Sequence, residues 1–211
     1  MSDDIVASAT AIAVAWRVLA AAWHVIVAGI GITLMVRRID ARWMTAALSV
    51  MLFSVAAMAW WSGNPFNTTV FSGAGTAAVL LSATSVRTWV RRASDPEVTA
   101  GTILCGFGWM YPHFLTGPDW QYLYAAPLGL LPCPTLAFII GVSLLTNSFG
   151  STPWAILFAS LGLFYGVTGV FVLGVAIDWL LLAGAAILAA AAFRRTRRVE
   201  HAFPFIYRRT T

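Results

Sequence analysis

The sequence predicts an all-α, polytopic membrane bundle of seven helices, with the N-terminus outside and the C-terminus in the cytoplasm. Of its 211 residues, 60% are hydrophobic and 10% charged, and the mean hydropathy is +0.81. That leaves too little polar surface to cover a soluble globule. Seven apolar stretches follow one another, each close to the roughly 20 residues that a helix needs to cross a bilayer core. The basic residues then fix the direction. All 13 are arginines. Arg37, Arg38 and Arg42 follow the first stretch, Arg87, Arg91 and Arg92 the third, and Arg194, Arg195, Arg197, Arg198, Arg208 and Arg209 the last. Basic residues stay on the cytoplasmic side during insertion, so these loops are inside. Short loops leave no room for a second, soluble domain.

The first helix is expected over 12–35. The acidic segment before it, Met1 to Thr10, lacks the basic region of a secretory signal, so the stretch reads as a retained helix. Helices over 43–61 and 66–86 flank the uncharged outer turn Ser62-Gly63-Asn64-Pro65. Trp60 and Trp61 belong to the outer aromatic belt. The fourth helix, 98–116, ends after Trp109-Met110-Tyr111-Pro112-His113, and the loop Gly117 to Gln121 follows. The fifth, 124–146, carries Pro127, Pro132 and Pro134. Each removes a backbone donor and clashes with the preceding turn, so its outer half is expected to be kinked or broken. Carbonyls freed there need protein or water partners. In the sixth, 154–173, Gly162, Gly166 and Gly169 share a face suited to close helix approach, a packing seam and a possible homo- or hetero-oligomer surface. A tight turn at Gly174 leads to the seventh, 176–193. The basic tail 194–211 reads as a cytoplasmic anchor on anionic lipid.

Several functions are excluded or narrowed by residue type. The chain has no lysine, so retinal has no amine for a Schiff base. The net charge of +5 follows the inside rule, which points to anionic lipid head groups and not to nucleic acid. Cys105 and Cys133 lie within apolar stretches, so no disulfide framework follows and their redox state is open. Cys133 stands between two prolines where a helix loses backbone hydrogen bonds. A thiolate there suits a soft metal such as Cu(I), with His113, Cys105 and Met110 as co-ligands; the alternative is a small apolar filler at a kink. His24 and His113 differ in depth by more than about 10 Å at 1.5 Å per residue, so no haem is expected between them. His201 reads as a solvated tail residue.

Arg17 breaks the loop rule and shares a face with His24, seven residues on. Ionisable groups inside spans often line functional paths. The alternative is that Arg17 snorkels to outer head groups and His24 packs. Asp178 falls in the first turn of the seventh helix, where the dipole alone stabilises it. It is also placed to pair with Arg17, or to join Tyr111, His113 and Asp119 around an outward-facing cavity. Asn67-Thr68-Thr69 matches a glycosylation acceptor but lies too near the membrane to count.

Tyr111-Pro112, the Gly117 loop, Ala126-Pro127-Leu128-Gly129 and Pro132-Cys133-Pro134-Thr135 with Phe138 and Gly141 resemble a family of bacterial multi-pass membrane proteins classed as a domain of unknown function. Leu173-Gly174-Val175 with Asp178 is similar to a second family segment, and the region from Trp60-Trp61 to Gly73 to a third. The resemblance implies a bacterial inner-membrane protein and a broken fifth helix, and supplies no activity. Where the family carries a histidine after the loop glycine, this chain has Pro118, which removes one member of a His and Cys metal pair. Function is thus expected among three classes. The first is transport or binding of a small solute or ion through the outer cavity, the second a soft-metal or redox site at Cys133, and the third a non-catalytic membrane subunit.

Overall fold

A computed structural model of the chain describes residues 2–36, 40–84, 90, 93–115 and 118–202, and among these the protein is all-helical, with no strand. Arg37, Arg38, Arg87, Arg91, Arg92, Gly117, Arg208 and Arg209 lie outside the described residues, as do the expected end of the fourth helix at Thr116 and the side chains of Arg198 and His201. Three helical stretches, Ala41–Trp61, Thr152–Val172 and Ala176–Arg197, are long and apolar enough to cross a membrane. A bent pair near the N-terminus makes up to four when taken as one span.

That bent pair corrects the expected first helix. Helix α1, Ser2–Ala15, meets α2, Arg17–Val36, at 73°. Neither glycine nor proline marks the bend. The hydrogen bonds Trp16 N–H to Ile12 O and Ala20 N–H to Trp16 O, both 3.0 Å, continue through it. Trp16 anchors the corner by packing edge-on against Trp61, with ring centroids 5.6 Å apart.

Helix α3, Ala41–Trp61, begins at Asp40, whose carboxylate accepts the Arg42 N–H at 2.9 Å, a common N-cap. Ser62 and Gly63 turn the chain, and Asn64 caps α4, Pro65–Thr84, by accepting the Asn67 N–H at 3.0 Å. Ser94 and Glu97 form a capping box at the start of α5, Asp95–Met110. It stops short of the expected 116 because Pro112 disfavours a helical residue before it.

The expected fifth helix is split into α6, Tyr122–Ala125, and α7, Pro132–Leu145. Pro127 lies in the break, but Pro132 and Pro134 occupy the first turn of α7, where a proline's missing N–H has no intrahelical partner to lose. They start a helix and do not bend one. Thr135 closes the break: its Oγ1 accepts the Gly129 N–H at 2.9 Å and donates to Leu131 O at 2.7 Å. Helix α8, Thr152–Val167, runs into a single π-turn, Thr168–Val172. After the short 3-10 turn Ala176–Asp178 comes α9, Trp179–Ala202, which carries helix on past 193 into the arginine segment.

Packing proceeds by pairs, α3 on α4, α5 on α7 and α8 on α9, with α7 buried from Pro134 to Leu144. The α5–α7 contact is backbone to backbone. A Cβ at Gly101 would lie 2.7 Å from Gly141 O, and one at Gly108 would lie 2.7 Å from Pro134 O. The sixth-helix glycine face is likewise used within the chain. A Cβ at Gly162 would sit 2.8 Å from that of Ala185, and one at Gly166 would sit 2.9 Å from Leu182 Cα. The space beside those two glycines is therefore taken up by α9. One end of the bundle gathers α1, the α3–α4 turn, the break before α7 and the α8–α9 turn; Glu97, Arg194 and Arg195 mark the other.

Candidate functional site

A cavity of about 420 Å³ lies at the α1 end of the bundle. The bend at Trp16 carries α1 across this end, and Ile5, Ala9 and Ile12 line the cavity from that helix. Asn64, Phe66 and Asn67 come from the α3–α4 turn, and Leu130 to Pro134 from the break and the start of α7. Phe164, Tyr165, Thr168 and Gly169 come from α8 and its π-turn. Most of this surface is apolar. A few polar groups are fixed in it: Tyr165 donates to Asn67 Oδ1 at 2.6 Å, which ties α8 to α4.

Cys133 is the polar lining residue with the most consequential neighbours. It is half-buried, and its thiol lies close enough to the Asp178 carboxylate and the Tyr111 hydroxyl to interact with both. Asp178 itself is 1% exposed. Its Oδ1 accepts the Tyr111 hydroxyl proton at 2.7 Å, and Tyr111 is fully buried. An aspartate enclosed in this way is held by its hydrogen bonds, since an unpaired buried carboxylate is costly.

Local folding explains the convergence. Tyr111 follows the last turn of α5, with its N–H bonded to Phe107 O at 2.8 Å. The α8–α9 turn is tied back by Val175 N–H to Gly169 O at 2.8 Å and by Asp178 N–H to Val175 O at 3.0 Å. The side-chain space at Gly169 is occupied by the Asp178 carboxylate, so any Cβ there would collide with it. Gly169 belongs both to the cavity wall and to the π-turn, a distortion frequent at functional sites. Two residues of the cavity wall, Gly169 and Cys133, thus adjoin the Asp178 side chain.

The other expected site residues are distributed differently. His113 is half-buried, edge-on to Phe114 at 4.4 Å, and electrostatically close to Asp178. Asp119 is exposed in the 3-10 turn Asp119–Gln121. Among the described residues Arg17 makes no ion pair with Asp178, which corrects that expectation; its Nε is buried without a partner. His24 is 3% exposed and clamps α2 to α5. Its Nδ1 lies 2.8 Å from Ala20 O and its Nε2 2.9 Å from Trp109 O, and a neutral ring donates to one of these. Neither Arg17 nor His24 lines the cavity.

The metal constellation does not assemble. Cys105 sits in the α5–α7 seam with Sγ 3.9 Å from Phe138 O, and Met110 is exposed. Among the described residues no three His, Cys, Asp or Glu side chains come together. A protein metal site ordinarily needs three or four such ligands. Sequence reasoning missed the Asn67–Tyr165 bond, the role of Gly169 and the contribution of Phe114, which lines the cavity at φ 75°. Gly169 had a signal, a glycine near the end of a helix; the others depend on contacts between distant segments. Comparison with protein-family models, with curated proteins and with solved structures finds no match for this chain.

Proposed function

We propose that this chain is a seven-helix membrane protein, N-terminus outside, that binds a small and largely apolar solute in the cavity beneath α1. The cavity is the observation that carries this reading. It has the size of a ligand site, and its apolar walls with a few fixed polar groups are the usual composition of one. The arginine distribution supports reading the cavity end as the outer side of the membrane. The resemblance to bacterial multi-pass proteins implies the inner membrane.

The test is saturable binding of a neutral apolar probe, neopentylbenzene, to protein in lipid nanodiscs, measured by equilibrium dialysis against empty discs. Ala9→Trp fills the cavity from α1, where Ala9 is only partly buried. We expect stoichiometric binding to the wild type and its loss in the variant. Binding that is absent from the wild type, or unchanged by Ala9→Trp, overturns the reading.

A further inference from the structure

We infer that the cavity selects a small lipophilic monovalent cation, such as a quaternary ammonium bearing an aromatic group, and that Asp178 supplies the countercharge and gives up its proton when the cation binds. This deepens the solute-binding reading and rests on it.

Charge and shape both favour a cation. Asp178 adjoins the wall at Gly169, and among the described residues that line the cavity there is no arginine or histidine. Phe66, Phe114, Phe164 and Tyr165 all line it, and ring faces attract alkylammonium groups that are poorly solvated. An anion would find no countercharge among the described lining residues.

Two residues of the cavity wall adjoin Asp178. Gly169 contributes backbone only, and the Cys133 side chain is small and itself faces the cavity. In such low-dielectric surroundings a carboxylate acts over several ångströms without direct contact. The titratable groups that face it are Tyr111 after α5, His113 in the following segment and Cys133 on α7; Gly169, from the α8 side, brings none. Tyr111 is a neutral donor to Oδ1. Asp178 is 1% exposed and has no ion pair among the described residues, so in the empty cavity the buried group is the neutral acid, its carbonyl oxygen accepting from Tyr111. When the cation binds, the carboxyl O–H releases its proton to solvent, and the carboxylate left behind neutralises the cation.

Two probes of the same shape separate this inference from the reading beneath it: benzyltrimethylammonium and neopentylbenzene differ in one atom, nitrogen for carbon, and in charge. Both are titrated into wild type and Asp178→Asn in nanodiscs, with proton release recorded in weak buffer. The expected result is cation binding that falls by about 30-fold or more in Asp178→Asn, while the neutral probe binds both proteins alike. In the wild type, cation affinity should drop by up to about tenfold per pH unit on acidification, with one proton released per cation. This wild-type measurement stands if Asp178→Asn fails to fold. Neutral binding without cation binding, or cation binding with no proton release and no loss in Asp178→Asn, overturns the cation inference and leaves the cavity reading intact. Failure of both probes overturns both.

Discussion

A carboxyl group taken out of water between helices persists only while its oxygens are satisfied and its space is kept open. At Asp178 the two conditions are met by different residues. Tyr111 supplies the donor at 2.7 Å, and Gly169 supplies the space by having no side chain. Because Asp178 is short, buried and held by Tyr111, it has little room to retreat from a new methyl group. Gly169→Ala should therefore destabilise the protein by about 1–3 kcal/mol, the usual cost of overpacking. Thermal unfolding in detergent measures it, and a double-mutant cycle assigns the cause. If the clash is with the carboxylate, the alanine should cost less in an Asp178→Ala background, and additive effects would refute the assignment. Cys133, Tyr111 and Asp178 could be singled out from residue type, since thiols and carboxylates are uncommon in apolar stretches. Their meeting could not be read from the sequence, because the Tyr111–Asp178 bond joins positions 67 residues apart.

At the level of the element, proline and glycine were the readable signals, and their meaning depended on position. A cluster of prolines announces an interruption, and the chain does break between Ala125 and Pro132. Whether a proline bends a helix or begins one depends on where the turn before it starts, and Thr135 decides that here by satisfying the groups around the break. The α1–α2 bend had no such signal, because tertiary packing of Trp16 on Trp61 replaces it. The α7–α8 connection is less legible still. Asn147, Ser148, Phe149 and Gly150 all take positive φ, of 50°, 48°, 55° and 73°. Ser148 is locked in place by the Arg195 guanidinium, which donates to its Oγ at 3.1 Å. Three non-glycine residues in this region imply that the surrounding contacts over-determine the turn. Nothing lies within 4 Å of the position that a Cβ would take at Gly150, so Gly150→Ala isolates the backbone cost. We expect a loss of about 1 kcal/mol, seen as a lower melting temperature with solute binding unchanged. No change in melting temperature would mean that the turn relaxes freely.

For the whole molecule, the small-residue seams set how close the helices come, and the arginine end sets how the last helix is tied to the rest. The sixth-helix glycines were visible as a seam, but only the fold shows that α9 fills it. The tighter α5–α7 seam uses Gly101, Cys105, Gly108 and Gly141, residues whose spacing on two different segments carried no joint signal. Far from the cavity, Arg194 on α9 donates to Glu97 Oε1 at 3.0 Å, and the Ser94 N–H donates to Glu97 Oε2 at 3.4 Å. This contact links the start of α5 to the end of the chain's last described helix. Partial burial pushes the Glu97 carboxyl up, but the Ser94 and Arg194 hydrogen bonds and the arginine's charge together outweigh it and hold the group below its ordinary value of 4.5. A depressed carboxyl favours the folded state above its unfolded value, and the benefit is lost as pH falls through the folded one. The stability difference between wild type and Glu97→Gln should therefore be constant above about pH 5 and shrink progressively below the ordinary glutamate range. Since the Arg194 side chain is 58% exposed, the difference should stay under about 1 kcal/mol and diminish in high salt. Melting temperatures of the two proteins across pH and salt test this. A difference that varies with pH but not with salt would assign the role of Glu97 to helix capping alone, and the α5–α9 tie would then have to come from packing.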